Sequence, residues 1–108
     1  MSKAKTDAAE REAQRRLASM LDAIMAESNA LGELLFAKNR SYGNSAFDPI
    51  RIFSRVSWEE AIRVRIDDKL SRIARGGDYD AEDTIVDLAG YLILLRAGIR
   101  LRAAGLLP

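Results

Sequence analysis

Cysteine and histidine are both absent from the 108 residues, and together these absences remove most of the usual reactive side chains. Without cysteine there are no disulfides, no thiolate nucleophile and no zinc–sulfur site, although the absence says little about compartment. Without histidine, imidazole acid–base chemistry and histidine-based metal sites are excluded. A strong field is missing as well: the formal net charge is +1, too small to draw nucleic acid or an anionic membrane to the whole chain. Long apolar runs are lacking. The longest, Leu88–Leu95, is far too short to span a bilayer, and Met20–Met25 is broken by Asp22, so no signal peptide is read. The reading is a cytoplasmic protein. What remains for chemistry is carboxylate, Lys, Arg, Tyr, Ser and Thr.

Apolar residues make up 48% and charged residues 31%, the composition of an ordinary folded domain. Residues 1–6 read as a disordered polar tail. Asp7 is read as the N-cap of a first helix over about 8–37, rich in Ala, Glu, Arg and Leu. Leu17, Met20, Leu21, Ile24, Met25, Leu31, Leu34 and Leu35 recur at spacings of three and four, which draws one apolar stripe. Ser41-Tyr42-Gly43-Asn44-Ser45 reads as a turn, with Gly and Asn able to take positive φ. Asp48-Pro49 suggests a cap and first turn for a short helix over about 49–55. Trp58, Phe47 and Phe53 read as core residues that pin this loop down.

Ser57-Trp58-Glu59-Glu60 fits a capping box, predicting a helix over about 58–75 that Gly76-Gly77 stops. Its buried stripe is expected to be Ile62, Ile66, Leu70 and Ile73. Asp80 or Asp78 would cap a last helix over about 81–104. The expected fold is all-α: one domain over 1–108, three main helices plus the short one, in an antiparallel bundle. The last helix is apolar on nearly every side between Thr84 and Leu95, so it should be central in the fold or in an oligomer. A dimer is the default on symmetry grounds.

Asp83 and Asp87 interrupt that apolar helix. A spacing of four places both carboxylates on one face, about 6 Å apart at Cβ, with Tyr91 one turn further on. Buried carboxylates need a cation or a basic partner. Two readings follow. In one, Asp83 completes the N-terminal turn and Asp87 pairs with an Arg of the preceding helix. In the other, the two are oxygen ligands for Mg²⁺, which needs only one or two carboxylates when substrate phosphates supply the rest. The preceding helix carries Arg65, Asp68, Lys69 and Arg72. Arg65–Asp68 and Asp68–Arg72 could close as a solvated salt-bridge lattice; alternatively Arg65, Lys69 and Arg72 form a phosphate-binding face. Residues 38–75 hold nine Lys/Arg against five Asp/Glu, a local excess of +4. Lys38, Arg40, Tyr42, Gly43 and Asn44 add cations, a stacking ring and amides, the inventory of a nucleotide pocket.

Three blocks taken together resemble a known family. Lys38-Asn39-Arg40-Ser41-Tyr42-Gly43-Asn44 is similar to a Lys-x-x-Asp-Tyr-Gly turn, with Ser41 standing where the acidic residue is usual. Arg65-Ile66-Asp67-Asp68-Lys69-Leu70-Ser71-Arg72-Ile73 resembles an Arg-x-x-Asp-Lys-x-x-Arg helix. Glu82-Asp83-Thr84-Ile85-Val86-Asp87-Leu88-Ala89-Gly90-Tyr91 resembles a Glu-Asp-Thr-x-x-Asp-Leu-x-x-Tyr helix. The family is the small α-helical nucleotide-modification-associated domain of bacteriophages and prophages, and the likeness covers about residues 33–98. It implies a nucleotide ligand in the host cytoplasm. A looser likeness is to MazG-type all-α nucleotide pyrophosphatases. There Asp83 and Asp87 resemble one metal-binding pair at a different spacing, and Glu27 and Glu33 are the nearest counterparts of the other.

The resulting expectation is a domain that binds a nucleotide or nucleotide-like phosphate. Lys38, Arg40, Arg65, Asp68, Lys69 and Arg72 would frame the phosphates. Tyr42, Gly43, Asn44 and Tyr91 would complete the pocket, and Asp83 and Asp87 would hold Mg²⁺ or the basic residues. If the protein is an enzyme, the chemistry these groups permit is metal-assisted attack of water on a phosphoanhydride. The rival readings are a non-catalytic binder that sequesters a signalling nucleotide, and a structural helical oligomerisation module. A membrane partner is not expected, and nucleic acid is the least favoured partner.

Overall fold

Between Lys3 and Ser41 the chain has no proline, and only Thr6 and Ile24 are β-branched; Ala, Leu, Glu, Arg and Lys dominate. Nothing there resists a helix. In the computed structural model, which describes residues 2–76 and 81–108, this stretch is one helix, α1 (Lys3–Ser41). It starts earlier than Asp7 because Ser2 caps it. The Ser2 hydroxyl accepts from the Lys5 N–H at 3.3 Å, and the Ser2 carbonyl from the Thr6 N–H at 3.1 Å. The expected tail is therefore largely helix, and Asp7 lies inside α1.

Two further helices follow, α2 (Trp58–Arg75) and α3 (Ala81–Ala103). The fold is all-α, with no strand among the described residues. No described helix is long and apolar enough to cross a membrane. The chain divides into two compact units, Met1–Gly32 and Glu33–Pro108. The first is a single helical stretch. In the second, the packed helix pair is α2 against α3.

The helix ends are set by local chemistry. α1 closes in a Schellman turn: the Gly43 N–H donates to the Arg40 carbonyl at 3.3 Å and the Asn44 N–H to the Asn39 carbonyl at 2.8 Å. Gly43 and Asn44 have φ of 66° and 65°, the left-handed values this motif needs. Asn39 locks the turn, donating through Nδ2 to Asn44 Oδ1 at 2.8 Å and accepting from the Ala46 N–H at 3.0 Å. Ser57 caps α2 by accepting from the Glu60 N–H at 3.1 Å, and Gly76 ends it with φ 65°. The expected α3 caps, Asp78 and Asp80, lie outside the described residues, as does Gly77.

The short helix over 49–55 does not form; the chain from Pro49 to Ser57 is irregular. Seven residues are below the length at which helix propagation offsets nucleation, so such a piece needs tertiary packing. It gets none, since Ile50 and Ile52 are largely exposed and Phe53 fully so. Phe53 is therefore not a core residue. The segment is held by Arg51, which pairs with Asp48 at 3.7 Å and donates to the Val56 carbonyl at 3.3 Å.

The expected stripe of α2 is buried only at its start. Trp58 is 1% exposed and Ile62 is buried, Ile66 is half-buried, and Leu70 and Ile73 are about half exposed. On α3 the buried residues include Thr84 and Gly98. Trp58 opens α2 and lies against Gly98 near the end of α3. Lys69, late in α2, meets Asp87, early in α3. The two helices are thus antiparallel.

Candidate functional site

α3 faces α2 through Thr84, Asp87, Tyr91, Leu94, Gly98 and Leu101, whose alternating spacings of three and four keep them on one side of the helix. They are the buried or half-buried positions of α3 along that side. The seam carries two polar anchors. At the open end of the hairpin, Glu59 takes Arg102 of α3 at 2.8 Å and Arg63 of its own helix at 3.2 Å. The Arg102 guanidinium also lies 5.4 Å from the centre of the Trp58 ring, within range of a cation–π contact. Trp58 donates its indole N–H to the Pro108 carbonyl at 3.2 Å and meets Phe47 edge-on at 6.1 Å. Phe47, unlike Phe53, does pin the loop to the core.

The Arg102 hydrogen bond first, then the Arg63 one, hold the Glu59 carboxyl below its ordinary range, outweighing the opposing effect of burial. A depressed carboxyl contributes stability above its unfolded pKa, about 4.3, and loses it as pH falls through the lower folded value. Glu59→Gln is therefore expected to lower the melting temperature at neutral pH. Its gap from wild type should close progressively in acid below about pH 4.3. A gap that stays constant from neutral pH through acid would show that the Glu59 charge is not what matters.

The second anchor is in the basic face of α2. The Lys69 ammonium lies 3.1 Å from Asp87 Oδ2; its side chain is 14% exposed and that of Asp87 42%. Asp87 thus pairs with the preceding helix, through Lys69 rather than an Arg. Arg65, Lys69 and Arg72 follow at spacings of four and three, so they share a face of α2. Arg65 and Arg72 are exposed. The expected Arg65–Asp68 and Asp68–Arg72 pairs do not close among the described residues, whose salt bridges lie elsewhere. Such exposed pairs bring only tenths of a kcal/mol, about 0.3–0.5, so solvation competes easily. Among the described residues neither guanidinium has a carboxylate partner.

The remaining candidates are more scattered. Lys38 and Arg40 stand exposed on the last turn of α1, and Tyr42 is largely exposed just beyond it. Asn44 and Gly43 serve the turn itself. Tyr91 is half-buried on α3, one turn past Asp87, and Asp83 is exposed in the first turns of that helix. No group of three or more carboxylates among the described residues is arranged to hold a metal. A magnesium ion at Asp83 and Asp87 would have to share Asp87 with Lys69. The Glu59–Arg102 anchor and Gly98 were not expected. Glu59–Arg63 was legible as an i,i+4 pair, but Arg102 needs the antiparallel register of α2 and α3.

The chain matches no family model, no curated protein and no solved structure.

Proposed function

We propose that the protein binds a nucleotide, or a nucleotide-like phosphate, on the basic face of α2 where it meets α3. The observation that carries this reading is the row Arg65, Lys69, Arg72: two exposed guanidiniums with no carboxylate partner among the described residues flank an ammonium that Asp87 holds in place. Arginine presents its donors in a planar fork suited to phosphate oxygens, and lysine adds a point charge. The row and its α3 partner fall in two of the three blocks that resemble the phage nucleotide-modification-associated domain. The third block supplies Lys38, Arg40 and the open Tyr42 ring as base and phosphate contacts. Both the enzyme and the sequestering binder begin from this bound state. Where phosphate recruits Mg²⁺ to Asp83 and Asp87, the ion would polarise a phosphoanhydride for attack by water.

A thermal-shift screen of mono-, di-, tri- and cyclic nucleotides, with and without Mg²⁺, tests the proposal. A ligand at a hundredfold over its Kd stabilises by about 2.7 kcal/mol, a shift of roughly 10 °C for a chain of this size. Arg65→Ala and Arg72→Ala should each weaken the shift while leaving the unliganded melting temperature nearly unchanged. Pyrophosphate release that needs Mg²⁺ and is lost in Asp87→Asn would make it an enzyme; a shift without turnover would make it a binder. No shift with any nucleotide, alongside marked destabilisation by Asp87→Asn, would leave the structural reading, in which Lys69–Asp87 serves only to tie α2 to α3.

A further inference from the structure

No described residue of the unit Met1–Gly32 is fully buried. Leu17, Met20, Leu21, Ile24 and Met25 are each between 49% and 66% exposed. Their spacings of three and four place them on one face, and a lone helix gives that face nothing to pack on.

Charge says what covers the stripe. Through Arg16, α1 carries Lys3, Lys5, Arg11, Arg15 and Arg16 against Asp7, Glu10 and Glu12. From Leu17 to Gly32 its only charges are Asp22 and Glu27. Within Lys3–Gly32 the helix is thus net basic through Arg16 and acidic beyond it. Arg16 and Glu27, eleven residues apart, come within about 20° of each other around a helix of 3.6 residues per turn, on one edge of the apolar stripe. In an antiparallel two-fold pair the same edges of the two helices meet, so Arg16 of each copy lies beside Glu27 of the other. A parallel pair would instead set each basic half against its copy, and each acidic half likewise.

We infer that the Leu17–Met25 face of α1 is an interface with a second copy of this chain, in which the two α1 helices run antiparallel. The occupant is self-complementary: the five apolar residues of one copy meet the same five of the other, and Arg16, which also contacts Glu12 of its own helix at 3.4 Å, meets Glu27 of the second copy only in this orientation. The interface is distinct from the basic face of α2 and does not depend on a bound ligand.

Sedimentation of the full chain at micromolar concentration tests it. Wild type is expected at twice 12.0 kDa, and Leu21→Asp combined with Ile24→Asp at the monomer mass. The single tryptophan, Trp58, lies in the other unit, so unchanged emission certifies that α2 and α3 remain folded. Arg16→Glu and Glu27→Arg, taken singly, should each raise the dimer dissociation constant several-fold, and the two together should restore it. A monomeric wild type overturns the inference, as does a dimer indifferent to the apolar pair. Failure of the double charge variant to recover overturns the antiparallel arrangement.

Discussion

Trp58→Ala is expected to lower the urea midpoint of the α2·α3 hairpin sharply. Large aromatic truncations in a core cost about 3–5 kcal/mol, and small domains hold about 5–15 kcal/mol in total. The share is unusually large here because the described core has so few members. Trp58 and Ile62 are its buried apolar residues, and Trp58 touches α3 at Gly98, the Phe47 ring and the Pro108 carbonyl at once. Removing the indole opens a cavity, orphans that carbonyl and takes away the ring beneath Arg102. Phe53→Ala is the matched control. Its ring is 102% exposed, so it should change stability by no more than about 0.5 kcal/mol. Helix content by circular dichroism through urea unfolding gives both values. Equal midpoints for the two variants would show that the core lies elsewhere.

The difference between Trp58 and Phe53 also shows how far the sequence could be read. Both are aromatic residues near a loop, and residue type alone places both inside. What separates them is the strength of the flanking local signals. Trp58 follows a serine cap and opens an amphipathic helix, while Phe53 sits in a stretch whose only helix signal is Asp48-Pro49. The ends of α2 were legible for the same reason, since Ser57 and Gly76 act through their own backbone neighbours. The start of α1 was not, because Ser2 and Asp7 are both competent caps and nothing in Lys3-Ala4-Lys5-Thr6 between them resists a helix. The site was legible as a set of residue types and half-legible as a constellation. Spacing alone put Arg65, Lys69 and Arg72 on one face. That Asp87 would choose Lys69 depends on the register between two helices, which no local pattern encodes.

Register also makes Gly98 the most sensitive position outside Trp58. A glycine inside a helix costs about 1 kcal/mol relative to alanine, so replacing one normally stabilises. At Gly98 the sign is expected to reverse. A Cβ there would stand 2.3 Å from Trp58 Cζ3 and 2.6 Å from Cη2, closer than any carbon pair tolerates, and the fully buried ring has no room to retreat. Overpacking of this kind costs about 1–3 kcal/mol, and prising α3 from α2 would also stretch the Glu59–Arg102 bond at the same end of the hairpin. Gly98→Ala should therefore lower the urea midpoint despite its better helix propensity, whereas Gly32→Ala, with nothing within 4 Å of the added carbon, should raise or preserve it. Trp58→Phe lacks the outer indole ring that supplies the clashing atoms. The double variant Gly98→Ala, Trp58→Phe should thus be more stable than the sum of its parts, with a coupling of about 0.5–3 kcal/mol, the range for residues in contact. Strict additivity would mean that α2 and α3 do not meet through these two residues, and the antiparallel register built on them would have to be redrawn.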